Sequence, residues 1–310
     1  MIKGRYVVKI GDSVKEFNNV ITTEGLAIIR NYLAGNTSNW AGSIAVGTLN
    51  LSAPSSSDSK LEFEIARVPV LIYSVEDNEI VLNATLSSEI EGRVYELGVY
   101  PAVSNVASLG FDDKVIATFS ENWTDQFDVP LGSSNFSGTE EAVEGRSGYR
   151  NLIVGASGIT AYLESGIDVS GYSQLDSFTI LYNVTATGAN RTVRVQFVDD
   201  QLPTAGTKYF DFVLNGSSTG YKTITALIGN FTSTGNFNNN ISRIIITSAA
   251  ASGCTVQLDA MKFDDADETN LDFALVSRAI IGTVGGNTSN DYIVKPSGIE
   301  MDIEYRLEIS

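Results

Sequence analysis

The sequence predicts a mainly β protein of two β-domains: a β-sandwich of jelly-roll form inserted into a β-rich domain that carries one short helix. Three observations predict this. Between residues 148 and 263, short runs of alternating apolar residues recur roughly every ten positions, parted by Gly, Asn, Ser and Thr, which is the rhythm of a sandwich or jelly roll. From Ile299 to Ile309 apolar and charged residues alternate at period two, and a strand that long needs a sheet to join; Arg5–Ile10 has the same amphipathic form, so the two ends are expected to pair. A helical spacing occurs near 23–34. The boundaries that follow are a discontinuous docking domain of residues 1–128 plus 266–310 and an inserted sandwich of residues 129–265.

In chain order, Tyr6, Val8 and Ile10 alternate with polar neighbours, Gly11-Asp12 turns, and Val14 and Phe17 follow, which makes an opening hairpin. Thr22 or Thr23 can cap a helix whose apolar positions are Leu26, Ile29 and Leu33, and Gly35 ends it. Ile44–Thr48 reads as a strand, and residues 51–60 form a Ser-rich loop. Leu61, Phe63 and Ile65 then share one strand face, with Glu62 and Glu64 on the wet face and Pro69 marking an edge. Ile80, Leu82, Ala84 and Leu86 point inward from the next strand, and residues 92–101 supply another. The pattern loosens from about 102 to 147, resumes in the insert, and leaves it through an acidic stretch at 262–269.

Composition narrows function by exclusion. The 310 residues are 43% hydrophobic and 18% charged, a folding composition. A net charge of −17 repels phosphate backbones and anionic lipid surfaces, so neither nucleic-acid binding nor membrane insertion is expected. The chain has no histidine and one cysteine, Cys254, which removes Ser-His-Asp and Cys-His catalysis, His- or Cys-cluster metal sites and internal disulfides. The opening residues lack an apolar core and a small-residue cleavage site, so no signal peptide is expected. Eleven Asn-x-Ser/Thr sites follow from Asn and Thr richness, since several fall inside expected strands.

Without histidine, an enzyme would have to use a carboxylate pair. Acids cluster at Glu140-Glu141-Glu144, Asp199-Asp200 and Asp264-Asp265-Asp267-Glu268, yet no motif fixes a role for any of them, and no catalytic residue or cofactor is expected. Asp264, Asp265 and Asp267 are the candidate ligands for a structural Ca²⁺; the competing reading is a solvated acidic hinge. For ligand binding, Tyr149, Tyr221, Phe231, Phe237 and Asn238 lie near turns rich in Asn and Gly, where aromatic rings could stack on sugar faces. The competing reading for the run 229–240 is a polar loop whose two Phe residues tuck under the sandwich.

Two resemblances sharpen these expectations. The first 100 residues, through the order of a short helix at 18–35, a glycine-bearing strand at 40–48, D-S-K-L-E-F-E-I-A-R-V-P-V at 58–70 and G-R-V-Y-E-L-G-V-Y-P at 92–101, resemble accessory structural proteins of tailed-bacteriophage virions, of the tail, fibre or capsid-decoration kind. The insert, through residues 166–184, 191–199 and 256–265, resembles carbohydrate-binding and galactose-binding-like jelly rolls; such modules usually expose Trp, whereas Trp40 and Trp123 both lie outside this insert. The resemblances imply a non-catalytic virion component, made in the host cytoplasm, that docks on other virion proteins, forms a homo-oligomer and binds a host-surface glycan weakly. The alternative is a soluble carbohydrate-binding module or an accessory domain of a glycan-active enzyme.

Overall fold

The computed structural model describes residues 2–88, 90, 92–101, 114–117, 136–137, 150–152, 159–199, 206–235, 240–249, 253–264, 274–296 and 298–309. It divides into two compact units, Met1–Phe111 with Asp267–Ser310 (unit 1) and Asp112–Ala266 (unit 2).

Along the chain, unit 1 begins with β1 (Ile2–Ile10), β2 (Ser13–Asn18), β3 (Val20–Ile21) and α1 (Thr23–Leu33). It continues through β4 (Ser43–Gly47), β5 (Glu64–Pro69), β6 (Ile72–Glu76), β7 (Glu79–Leu86), β8 (Gly92–Val94) and β9 (Glu96–Tyr100). Unit 2 holds β10 (Lys114–Ala117), β11 (Phe136–Ser137), β12 (Arg150–Leu152), β13 (Ile159–Asp168), β14 (Ser177–Ala186) and β15 (Arg191–Asp199). After these come β16 (Gly206–Leu214), β17 (Gly220–Leu227), β18 (Thr232–Gly235), β19 (Asn240–Ala249) and β20 (Thr255–Asp264). The return to unit 1 supplies β21 (Ser277–Ile280), β22 (Ile293–Lys295) and β23 (Met301–Ile309).

Unit 1 is built on two five-stranded sheets, β2-β1-β23-β7-β6 and β3-β21-β9-β4-β5, with the small pair β22-β8. Strand β23 lies antiparallel to β1 over its full length, with Tyr6 opposite Tyr305 and Val8 opposite Ile303. Period two sends Met301, Ile303, Tyr305 and Leu307 inward, all fully buried. Each large side chain so buried contributes about 1.5–3 kcal/mol. The Tyr6 hydroxyl and Ser277 Oγ share a hydrogen bond of 2.7 Å, which ties β1 to β21 of the other sheet. Glu304, on the face the alternation assigns to water, is nonetheless buried under its ion pairs with Lys9 and Arg306.

Helix α1 starts where the sequence places it. Thr22 caps it, its Oγ1 accepting from Gly25 N at 2.8 Å, and Ile28 and Ile29 enter the core beside Trp40. Gly25 abuts β21's approach so closely that a Cβ there would sit 2.1 Å from the Val276 carbonyl oxygen. Gly35, at φ +74°, ends the helix. The strand expected from Leu61 starts instead at Glu64. Side chains rather than a ladder satisfy the preceding amides: Leu61 N donates to Tyr100 Oη at 3.1 Å, and Phe63 N to Glu96 Oε1 at 2.9 Å.

Unit 2 sets β11-β12-β20-β14-β17 in one sheet and β13-β19-β15-β16-β18 in the other, with β10 also pairing β20. The sequence reading assigned residues up to 128 to the docking domain; β10 instead joins a sandwich sheet, with Lys114 opposite Phe263. The core gathers Phe178, Phe197, Phe212, Phe231 and Phe263 with β-branched residues of both sheets. Cys254 is buried in it, a small apolar filler as its surroundings in sequence suggest.

Candidate functional site

In unit 2, Phe197 on β15 points inward, and its register partner on β16 is Lys208. Directly opposed residues share a face, so Lys208 is carried toward the sandwich interior among aromatic rings. Tyr172, from the turn before β14, lies 5.0 Å from Phe263, and Phe231 stacks on Phe197 at 5.5 Å. Together with Ile241 these residues line a small cavity of about 20 Å³, room for a water molecule and not for a sugar ring. Burial pulls the Lys208 ammonium below the usual lysine pKa. Its lining is chiefly apolar, Tyr172 and Lys208 being the lining residues that carry a polar side-chain group.

Of the proposed ligand-binding residues, Tyr149, Phe237 and Asn238 lie outside the described residues. Phe231 is a core residue, 8% exposed and packed against four other Phe rings. It therefore shapes the floor of the pocket instead of presenting a face to solvent, and the tucked reading of this Phe holds. Tyr221 stands opposite Asn183 near the start of β17, six residues from the strand end where Phe231 follows. At about 3.3 Å per residue that separates the two by ~20 Å, so they do not form one site.

Of the proposed calcium ligands, Asp265 and Asp267 lie outside the described residues. Asp264 is neither solvated nor in a hinge: β20 runs on to pair it with Ser177, and this carries the carboxylate into a buried ion pair with Lys262. Thr179 Oγ1 donates to its Oδ2 at 2.6 Å. Among the described residues, no three His, Cys, Asp or Glu side chains come together as a metal group.

A charged cluster that the sequence did not single out lies in unit 1. Arg278, 1% exposed, donates from Nε to Glu96 Oε2 at 3.0 Å and from Nη1 to Asp58 Oδ2 at 2.9 Å and Ser52 Oγ at 3.2 Å; Glu62 Oε1 lies 3.4 Å from Nη2. Glu96 is fully buried and also accepts from the amides of Glu62 and Phe63. Burial outweighs the attraction of Arg278 and pushes the Glu96 carboxyl up to about 7. For Arg278, burial works against the charge, but its three carboxylates more than offset this and raise its pKa. The cluster pins the loop 51–62 onto β9 and β21. The sequence signal was faint: an Arg within the apolar run 274–282.

The fold and these sites define a mainly β protein with a jelly-roll-like sandwich. No family model and no curated protein matches the chain. Among solved structures it is similar to a family 11 carbohydrate-binding module from Clostridium thermocellum in complex with a β-1,3-1,4-mixed-linked tetrasaccharide, at 16% identity over 46% of this chain and 95% of that one, with a TM-score of 0.30. A second similarity is to CsCBM6-3 from Clostridium stercorarium in complex with cellobiose, at 17% identity, 51% and 95% coverage and TM-score 0.28. A third is to the infectious bursal disease virus Gx strain, at 11% identity and TM-score 0.25, where 99% of this chain spans 64% of that chain. Likenesses this distant carry no functional argument.

Proposed function

We propose that the protein is a non-catalytic structural component of a bacteriophage virion, docking on other virion subunits through unit 1 and binding a glycan weakly through unit 2. The observation that carries this reading is the β6 edge of unit 1. Edge strands offer unpaired backbone groups to another chain, and here Leu71, Tyr73 and Val75 are 66%, 44% and 73% exposed along that edge. A non-catalytic role is supported by how the buried acids are engaged. Glu96 and Asp264 are held as described, and Asp291 accepts from Thr283 N, Thr283 Oγ1, Thr288 N and Thr288 Oγ1 at 2.6–2.9 Å. Light scattering across a concentration series tests the docking reading. A defined oligomer well above 33.2 kDa is expected, dissociated by Val75→Lys, which places a charge on the edge. An oligomer untouched by that substitution, or a monomer at every concentration together with no capture by purified particles, refutes it. A glycan array probed with the full chain tests the second part.

A further inference from the structure

Arg191 opens β15 opposite Leu214 and is 5% exposed. Its Nε and Nη1 are buried and have no hydrogen-bond partner among the described residues. The other arginines buried among the described residues face a counter-group: Arg278 meets three carboxylates, and Arg93, whose Nε is likewise without a hydrogen bond, lies 4.5 Å over the Tyr292 ring. Exposed Arg194 still pairs with Asp211. Among the described residues Arg191 has neither an acid nor a ring, although acids outnumber bases 37 to 20 in this chain. Burial accordingly pulls its pKa down.

The setting is a knot of three turns. Gly188 N donates to Gly216 O at 3.1 Å, Gly216 N to Asn190 Oδ1 at 3.1 Å, and Cys254 N to Ala189 O at 2.8 Å. The backbones touch so closely that a Cβ on Gly216 would sit 2.6 Å from that of Cys254. Gly253 lies against Arg191 itself, with its own would-be Cβ 3.5 Å from Nε. Among the described residues these neighbours supply no acceptor to Nε or Nη1. This end of the sandwich lies opposite the aromatic pocket, because Arg191 and Phe197 stand near opposite ends of β15.

We propose that Arg191 forms the base of an oxyanion-binding site that takes the carboxylate or sulfate group of an acidic ligand. A guanidinium presents paired N–H donors that match two oxygens of such a group, and it is less strongly hydrated than an ammonium. Burying a cation without a counter-charge is costly, and an incoming oxyanion relieves that cost. A uronic acid or a sulfated sugar carries such a group. That the carrier is a sugar rests on the glycan reading above; that the bound group is an oxyanion does not.

The test is calorimetric titration and thermal unfolding of the full chain with sodium sulfate, glucuronate, glucose 6-sulfate and neutral glucose at matched ionic strength. Wild type, Arg191→Met and Arg191→Lys are compared. Saturation at ten times Kd raises the unfolding temperature of wild type by a few degrees. The rise is absent in R191M, and affinity falls at least tenfold in R191K, which keeps the charge but loses the fork. R191M keeps the length of the side chain without its buried charge, so it is expected to fold; R191K decides the matter if it does not. Sulfate also stabilises proteins by exclusion from their surface, equally in all three chains, so only the difference between them counts. Equal responses in wild type and variants overturn the site. If sulfate binds and glucose 6-sulfate binds no tighter, the oxyanion site stands and the sugar carrier falls.

Discussion

Replacing Arg278 by Met should destabilise unit 1 strongly, and more at pH 8 than at pH 5. The cause lies in Glu96. Its carboxyl goes from 4.5 in the unfolded chain to about 7 when folded. A group whose folded pKa is raised adds stability that is fully present below the unfolded pKa and is lost as pH rises through the folded one. The wild type should therefore lose about 3 kcal/mol from this group between pH 4.5 and 8. Without Arg278 the folded pKa climbs further, and more of the loss falls at alkaline pH. At pH 8 the variant must bury the Glu96 carboxyl without its cation, either ionised or held protonated against the solvent pH, and deletions of this kind cost about 3–5 kcal/mol. At pH 5 Glu96 takes up a proton, and the cost shrinks toward that of lost hydrogen bonds, about 1–2 kcal/mol. Urea unfolding followed by the fluorescence of Trp40, buried in the same core, measures both values. A destabilisation equal at the two pH values would refute the assignment of the buried charge to Glu96.

Two further substitutions test the packing. Gly25→Ala should cost unit 1 at least ~2 kcal/mol, because the new Cβ meets Val276 backbone, which has no side-chain freedom to yield; an unchanged urea midpoint would show that α1 can shift outward. Phe231→Ala should cost unit 2 about 3–5 kcal/mol as a core deletion, whereas a solvent-facing sugar platform would lose under ~0.5 kcal/mol, and denaturation distinguishes the two.

Local chemistry was legible in the sequence wherever period and cap agreed. Thr22 and Gly35 bracket α1, and the strict alternation of residues 299–309 pointed to a partner of the same form in β1. Long-range compensation was not legible. Glu64 and Glu304 read as wet from the alternation, and Asp264 as a calcium ligand or part of a solvated hinge, yet each is buried with a cation from elsewhere in the fold or a few residues away. Phe231 sits in a stretch whose Asn and Gly content speaks of a loop, and only the meeting of two sheets makes it core. The pocket escaped for the same reason: Tyr172, Phe197 and Lys208 come from separate strands and turns, and no spacing in sequence records their convergence.

The central place of β23 has a consequence for synthesis. Its neighbours β1 and β7 leave the ribosome early, whereas β23 emerges only after all of unit 2, about 10–40 s later at ordinary elongation rates. For that interval the nascent sheet has a gap one strand wide, bounded by two adhesive borders on the same tether. Arg5, Lys9 and Glu79, which later form ion pairs across the completed sheet, stand along those borders and act beforehand as gatekeepers against stray strands. A slowly closing sheet of this kind makes the pace of translation, as much as the final contacts, a determinant of yield.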